Sequence, residues 1–129
     1  MKIYTMKENK LIAEFMGFPQ QTDIVDDRTT AYYIGDVIKA NNAKNQNQDD
    51  VFHPDDMLFN SSWDWLMPVV EKIEMLGYTF EKNYQPIDKD WQCLIVKGLD
   101  ILHQEFDESS IKATHYIVVE FIERTKKST

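Results

Sequence analysis

Few residues in this chain combine a reactive side chain with a setting that would support chemistry. Cys93 is the only cysteine, and so the only thiol nucleophile on offer. It lies in Trp91-Gln92-Cys93-Leu94-Ile95-Val96-Lys97, whose alternation puts Trp91, Cys93 and Ile95 on one strand face and Gln92, Leu94 and Val96 on the other. Sharing a face with a tryptophan and an isoleucine implies burial, and a buried thiol has a raised pKa and is inert. His53-Pro54-Asp55-Asp56 gathers three potential metal ligands, yet the tetrapeptide matches neither zinc-site nor EF-hand spacing. It reads as a solvated turn in which an aspartate caps something downstream. His103 and His115 have no sequence-local partner. His115 shares a helical flank with Ile111, Val118 and Ile122, which fits a hydrogen-bonded histidine at the edge of the core. With 22 acidic residues in 129, chance carboxylate pairs are inevitable. Glu105-Phe106-Asp107-Glu108 is most simply a charged lead-in to a helix N-terminus, where the dipole favours acids. There is no phosphate-binding glycine loop, GxSxG, HExxH or paired CxxC, and the chain holds only 4 glycines. We therefore assign no catalytic, cofactor-binding or metal-ligating residue and expect no cofactor.

The element that must organise these residues runs from Ser61 to Tyr78. Ser61 or Ser62 can cap it, and Leu66, Val69, Val70, Ile73 and Leu76 recur at helical spacing as one apolar stripe. Gly77 can take the left-handed conformation that ends a helix, with Tyr78 folding back on Ile73. Pro68 removes the hydrogen bond to the Asp64 carbonyl, at a cost of about 3 kcal/mol. Each buried aliphatic residue of the stripe contributes about 1.5–3 kcal/mol, so one bent helix is favoured. The alternative is a separate turn over Ser62–Leu66 with Pro68 opening the helix at its first position. Trp63 and Trp65 point roughly 200° apart on such a helix, and we expect both rings to flank the core.

Around this helix the chain divides readily. Lys2-Ile3-Tyr4 could add an edge strand, and Thr5-Met6-Lys7-Glu8 has capping-box spacing. Leu11, Ile12, Phe15 and Met16 then make an amphipathic stripe that Gly17-Phe18-Pro19 closes. Ala31–Ile38 has strand composition weakened by Gly35. Residues 39–50 contain nothing large and apolar and are expected to form a mobile polar loop. Strands over 78–84 and 91–97 are joined too tightly for a parallel crossover, so they should pair antiparallel. Leu99–Phe106 suits a third strand or a helix almost equally. Ser109 or Ser110 caps a last helix with Ile111, Thr114, Ile117, Val118, Phe121 and Ile122 inward and Arg124, Lys126 and Lys127 at its negative end. The fold class is α+β: a small, mainly antiparallel sheet packed with about three helices, within a single domain over residues 1–129.

A chain of 129 residues with 43% apolar and 28% charged content is ordinary for a globular domain able to bury a core. No apolar run is long enough to span a membrane and no signal-peptide core opens the chain, so a cytoplasmic location is expected. A single cysteine excludes an internal disulfide and agrees with a reducing compartment. The formal net charge of −8 is shared by both halves of the chain. It opposes direct nucleic-acid binding, which needs a positive surface to displace counterions.

Three segments carry a resemblance. Asn9–Gly17, Ser61–Glu74 and Val118–Ile122 look like the signature stretches of small proteins encoded by phages and Bacteroides-type bacteria, a group associated with the phage "ABA sandwich" domain. They cover under half of the chain, and the asparagine-rich stretch at 41–50 looks like an insertion. The resemblance implies an α/β/α sandwich-like arrangement, a prophage origin and an intracellular setting; the family has no assigned activity, so no catalytic residue is implied. The leading expectation is a non-enzymatic accessory or interaction protein with a protein partner. Two alternatives stand beside it: an enzyme of unrecognised type using Cys93 or the histidines, and an acidic mimic of nucleic acid that blocks a DNA-binding protein. The partner and the oligomeric state are not legible.

Overall fold

The computed structural model describes residues 2–18, 32–33 and 51–127. Among the described residues three α-helices and a three-stranded antiparallel sheet make an α+β fold, as the pattern predicts. Helix α1 spans Lys2–Met16. The pair β1 (Tyr32–Tyr33) and β2 (Val51–Phe52) is antiparallel, and a short 3-10 turn follows at Pro54–Asp56. Helix α2 covers Trp63–Met75, β3 Thr79–Gln85, β4 Asp90–Lys97, β5 Asp100–Asp107 and α3 Ser110–Lys127. The sheet order is β3-β4-β5, and the open choice over Leu99–Phe106 resolves to a strand. Most of the strand expected at Ala31–Ile38, and the polar loop at 39–50, lie outside the described residues.

Helix α2 runs unbroken through Pro68 and buries Trp65, Leu66, Val69, Val70 and Ile73. Two expectations fail here. Leu76 is the C-cap residue and is 52% exposed, because the helix stops before the stripe makes another turn. Ser62 sits at the N-cap, but its hydroxyl makes no capping bond. Tyr78 turns onto Phe121 of α3, ring centroids 4.9 Å apart, so its main partner is a helix remote in sequence.

Helix α1 also starts earlier than its capping-box spacing suggests. Its first residue is Lys2, which places Thr5 inside the helix and removes both the box and the edge strand at Lys2-Ile3-Tyr4. Its end is as expected. Gly17 adopts φ +76°, and the amides of Gly17 and Phe18 reach back to the Glu14 and Ala13 carbonyls, closing a Schellman motif. The Lys72 ammonium donates to the Phe15 carbonyl and lies over the Phe15 ring, tying α2 to this end of α1. At the start of α3 the Ser109 hydroxyl accepts from the Lys112 amide, while Asp107 accepts from the Ser109 amide at 2.8 Å. Asp107 of the acidic lead-in thus meets the helix N-terminus, whereas Glu105 lies back on β5 against Glu120.

The core joins the inner faces of all three helices to Cys93 and Ile95 of β4 and leaves their neighbour Leu94 outside the cluster. Helix α3 lies against β4 and β5, α2 beside β3, and α1 packs on α2, α3 and the 3-10 turn. The opposite sheet face carries no helix among the described residues, so the second helical layer of a sandwich has no counterpart there. Trp65 is buried between Phe52 and Phe59 in edge-on contacts, whereas Trp63 remains half-buried at the sheet margin.

Candidate functional site

Cys93 lies where its strand face predicts, fully buried beneath α3. Its Sγ is 3.5 Å from Thr114 Oγ1. The threonine hydroxyl donates to the Ser110 carbonyl at 2.8 Å, so the thiol proton is the one left for the Cys93–Thr114 contact. Burial pushes the thiol pKa up, more than the Thr114 contact and the Lys82 charge pull it down. Such a thiol is a packing group.

The His53 segment forms the 3-10 turn over Pro54–Asp56, and it faces inward more than a solvated turn should. Pro54 is buried, His53 is half-buried with Nδ1 lacking a hydrogen-bond partner among the described residues, and Asp56 is exposed. What holds the turn is Asn9, a residue given no role in the sequence reading beyond its place in the Asn9–Gly17 stretch. Fully buried on α1, Asn9 donates through Nδ2 to the carbonyls of Pro54 (2.6 Å) and Met57 (3.0 Å). Among the described residues no group of histidine, cysteine and acidic side chains is arranged to hold a metal ion.

His115 corrects another expectation. It is buried rather than at the core's edge, and its Nε2 makes no hydrogen bond among the described residues, with Glu8 Oε1 3.9 Å away. Burial lowers its pKa to about 4. Glu8 also lines a groove of about 370 Å3 between α1 and α3, in which Lys7, Lys10 and Lys126 face Glu14 and Glu123. Lys126 pairs there with Glu14 at 3.6 Å. Alternating charges leave this groove with no net preference for one sign of ligand.

A cluster of titratable groups in mutual contact lies between β5 and α3. His103 is buried on β5 and donates through Nδ1 to Glu120 Oε2 at 3.0 Å, its ring edge-on to Phe121. Arg124, one turn along α3, stands 3.7 Å from the same oxygen. Glu105, two residues from His103 and so on the same strand face, hydrogen-bonds to Glu120. Two carboxyl groups in contact cannot both be ionised cheaply. Glu105 keeps the proton and is pushed up to about 7, first by its hydrogen bond to Glu120, then by burial and the Glu120 charge. Glu120 is held below the usual range by the bond it accepts from Glu105, and further by His103. The arrangement can store a proton near neutrality beside an imidazole.

The other side of the sheet has a different character. Gln85, Gln92 and Gln104 form a hydrogen-bonded ladder across all three strands, at 3.3 and 3.1 Å. Around it are Val96 of β4 and the β5 residues Ile101, Leu102 and Phe106, exposed by 59%, 43% and 46%. The register shifts between Ile95 and Val96: Ile95 pairs with His103 and Val96 with Ile101. Leu102 is therefore an extra, bulged residue, and β5 turns two adjacent apolar side chains outward. Leu99, in the preceding turn, is fully exposed. No protein-family model, curated protein or solved structure matches this chain.

Proposed function

We propose that this protein is a non-enzymatic interaction module of phage or prophage origin that works in the cytoplasm. In this reading it offers the sheet face opposite its described helices to a protein partner. The observation that carries the reading is the outward set of Leu99, Ile101, Leu102 and Phe106 on and beside one strand. Scattered apolar side chains are normal on a surface, but a contiguous patch rimmed by polar groups marks a contact site. The glutamine ladder supplies donors and acceptors within the patch. Glu81, Asp88, Asp100 and Glu108 are exposed on the same strands and turns, and with a net charge of −8 they favour a partner whose apolar surface is rimmed by lysine and arginine. The phage or prophage origin is supported by the sequence resemblance alone.

The enzymatic alternative loses its thiol version to the burial of Cys93 and rests instead on His103, Glu105 and Glu120. The nucleic-acid mimic calls for carboxylates in one regular stripe. Exposed acids at Glu14, Asp56, Glu71, Glu81, Asp100 and Glu123 are instead spread over every layer, which weighs against it. The test is crosslinking capture from cells with the wild-type chain and with L102D/F106D. A partner retained by the wild type and by a groove variant, K126E, but lost with L102D/F106D supports the reading. Turnover of a substrate that Glu120→Gln abolishes in a folded protein would replace it with the enzymatic one.

A further inference from the structure

On the helix-covered side, the end of the sheet where β3 turns into β4 is walled by aromatic rings. Tyr84 and Trp91 are cross-strand partners with ring centroids 5.2 Å apart, inclined at 57°. Trp63, the first residue of α2, reaches the Lys82 ammonium from the helical layer. Close to both indoles sits a cation that belongs to the chain itself. The Lys82 ammonium is 4.4 Å from the centroid of the Trp63 ring and 5.4 Å from that of Trp91. Asp107, the other cross-strand partner of Trp91, adds a carboxylate to the same row and holds the Ser109 amide through Oδ2. Lys82 is exposed, Tyr84 is 48% exposed and both indoles are half-buried, so the enclosure opens to solvent.

We propose that Trp63, Trp91 and Tyr84 form a recognition site for a quaternary ammonium group, which Lys82 occupies until such a group displaces its ammonium. Indole faces attract cations through the negative centre of the ring, and cages of two or three rings are a recurrent way to hold methylated ammonium groups. The seated lysine shows that the space beside both indoles admits a cation. Lysine is a poor permanent occupant, because its three N–H donors are strongly hydrated and the rings offer no acceptor of comparable strength. A quaternary ammonium has no N–H to satisfy and gives up its water more readily. Once displaced, the exposed Lys82 side chain returns to solvent without leaving a buried charge. Choline-type small molecules and trimethylated lysine side chains carry the same headgroup.

The experiment is a titration of the full chain and of Lys82→Ala, read by tryptophan fluorescence and by the indole N–H signals of Trp63 and Trp91 in NMR. The probes are tetramethylammonium, choline, a trimethyllysine peptide and 3,3-dimethylbutanol, the uncharged carbon isostere of choline. Saturable shifts with the cations and none with the alcohol at equal concentration are expected. Lys82→Ala should bind at least threefold tighter, and Tyr84→Ala, at an exposed position that leaves the core intact, should bind more weakly. A tenfold preference for the peptide over choline assigns the headgroup to a protein side chain; the reverse assigns it to a small molecule. Absence of saturable binding in both wild type and Lys82→Ala, equal binding of the alcohol, or no gain in Lys82→Ala would overturn the proposal.

Discussion

His115 and Glu105 are displaced from their ordinary titration ranges in opposite directions, and each displacement makes stability depend on pH. Burial lowers His115 from 6.5 to about 4. Its contribution is therefore present above pH 6.5 and lost as pH falls through about 4, because the unfolded chain takes up the proton first. Glu105 is raised from 4.5 to about 7, chiefly by its bond to Glu120. Its contribution is present below pH 4.5 and lost as pH rises through about 7. We predict that His115→Gln flattens the fall in urea midpoint between pH 6.5 and 4. Glu105→Gln, whose amide still donates to Glu120, should remove the fall between pH 4.5 and 7. Between 4.5 and 6.5 the two effects oppose each other in the wild type, so each variant should expose the slope that the other residue sets. Unchanged pH profiles in both would mean that neither group differs between folded and unfolded chains. The residues differ in how far the sequence reveals them. Cys93 was legible because alternation within one strand fixes its face. The His103–Glu120 contact was not, because it depends on how α3 lies across β5, 17 residues along the chain.

At the scale of elements, Asn9 does what no local pattern announces. Its two bonds tie α1 to the 3-10 turn after β2, across 45 and 48 residues. Asn9→Ala would leave the buried Met57 carbonyl without its donor, at about 1–3 kcal/mol, and the Pro54 carbonyl with only its bond from the Met57 amide. Leu76→Ala, at an exposed helix end, should stay within about 0.5 kcal/mol. Urea denaturation of the two variants checks the contrast, and similar midpoints would deny Asn9 its clamping role. The ends of α1 and α2 were legible for a related reason. Gly17 and Gly77 take φ of +76° and +104°, a local requirement that only the residue type needs to meet. The capping box at Thr5 was overridden because α1 runs on to Lys2. Leu99–Phe106 was ambiguous alone, since a bulged strand breaks strict alternation; pairing with β4 decides it.

For the molecule as a whole, the question is whether helices and sheet open together or separately, and Cys93 is placed to report it. The thiol is fully buried at the centre of the three-stranded sheet, with α3 over it, and it belongs to the same apolar cluster as Leu66 on α2 and Ile12 on α1. A reagent reaches it only through an opening that separates α3 from β4. If that opening is global, its free energy equals the stability of the whole fold, and labelling slows or quickens with any core substitution. Leu66→Ala, remote from Cys93 in sequence and on another helix, should cost about 2–5 kcal/mol. At about 1.4 kcal/mol per factor of ten, Cys93 labelling under native conditions should then accelerate by about 30-fold to several thousand-fold, matching the loss measured in urea. Phe106→Ser, on the sheet face opposite the described helices, should leave the rate nearly unchanged, since its side chain is not part of that cluster. Acceleration by Leu66→Ala well below the stability loss would mean that α3 lifts from the sheet by itself, making the β5–α3 seam, with its Glu105–Glu120 proton, the weakest joint in the fold.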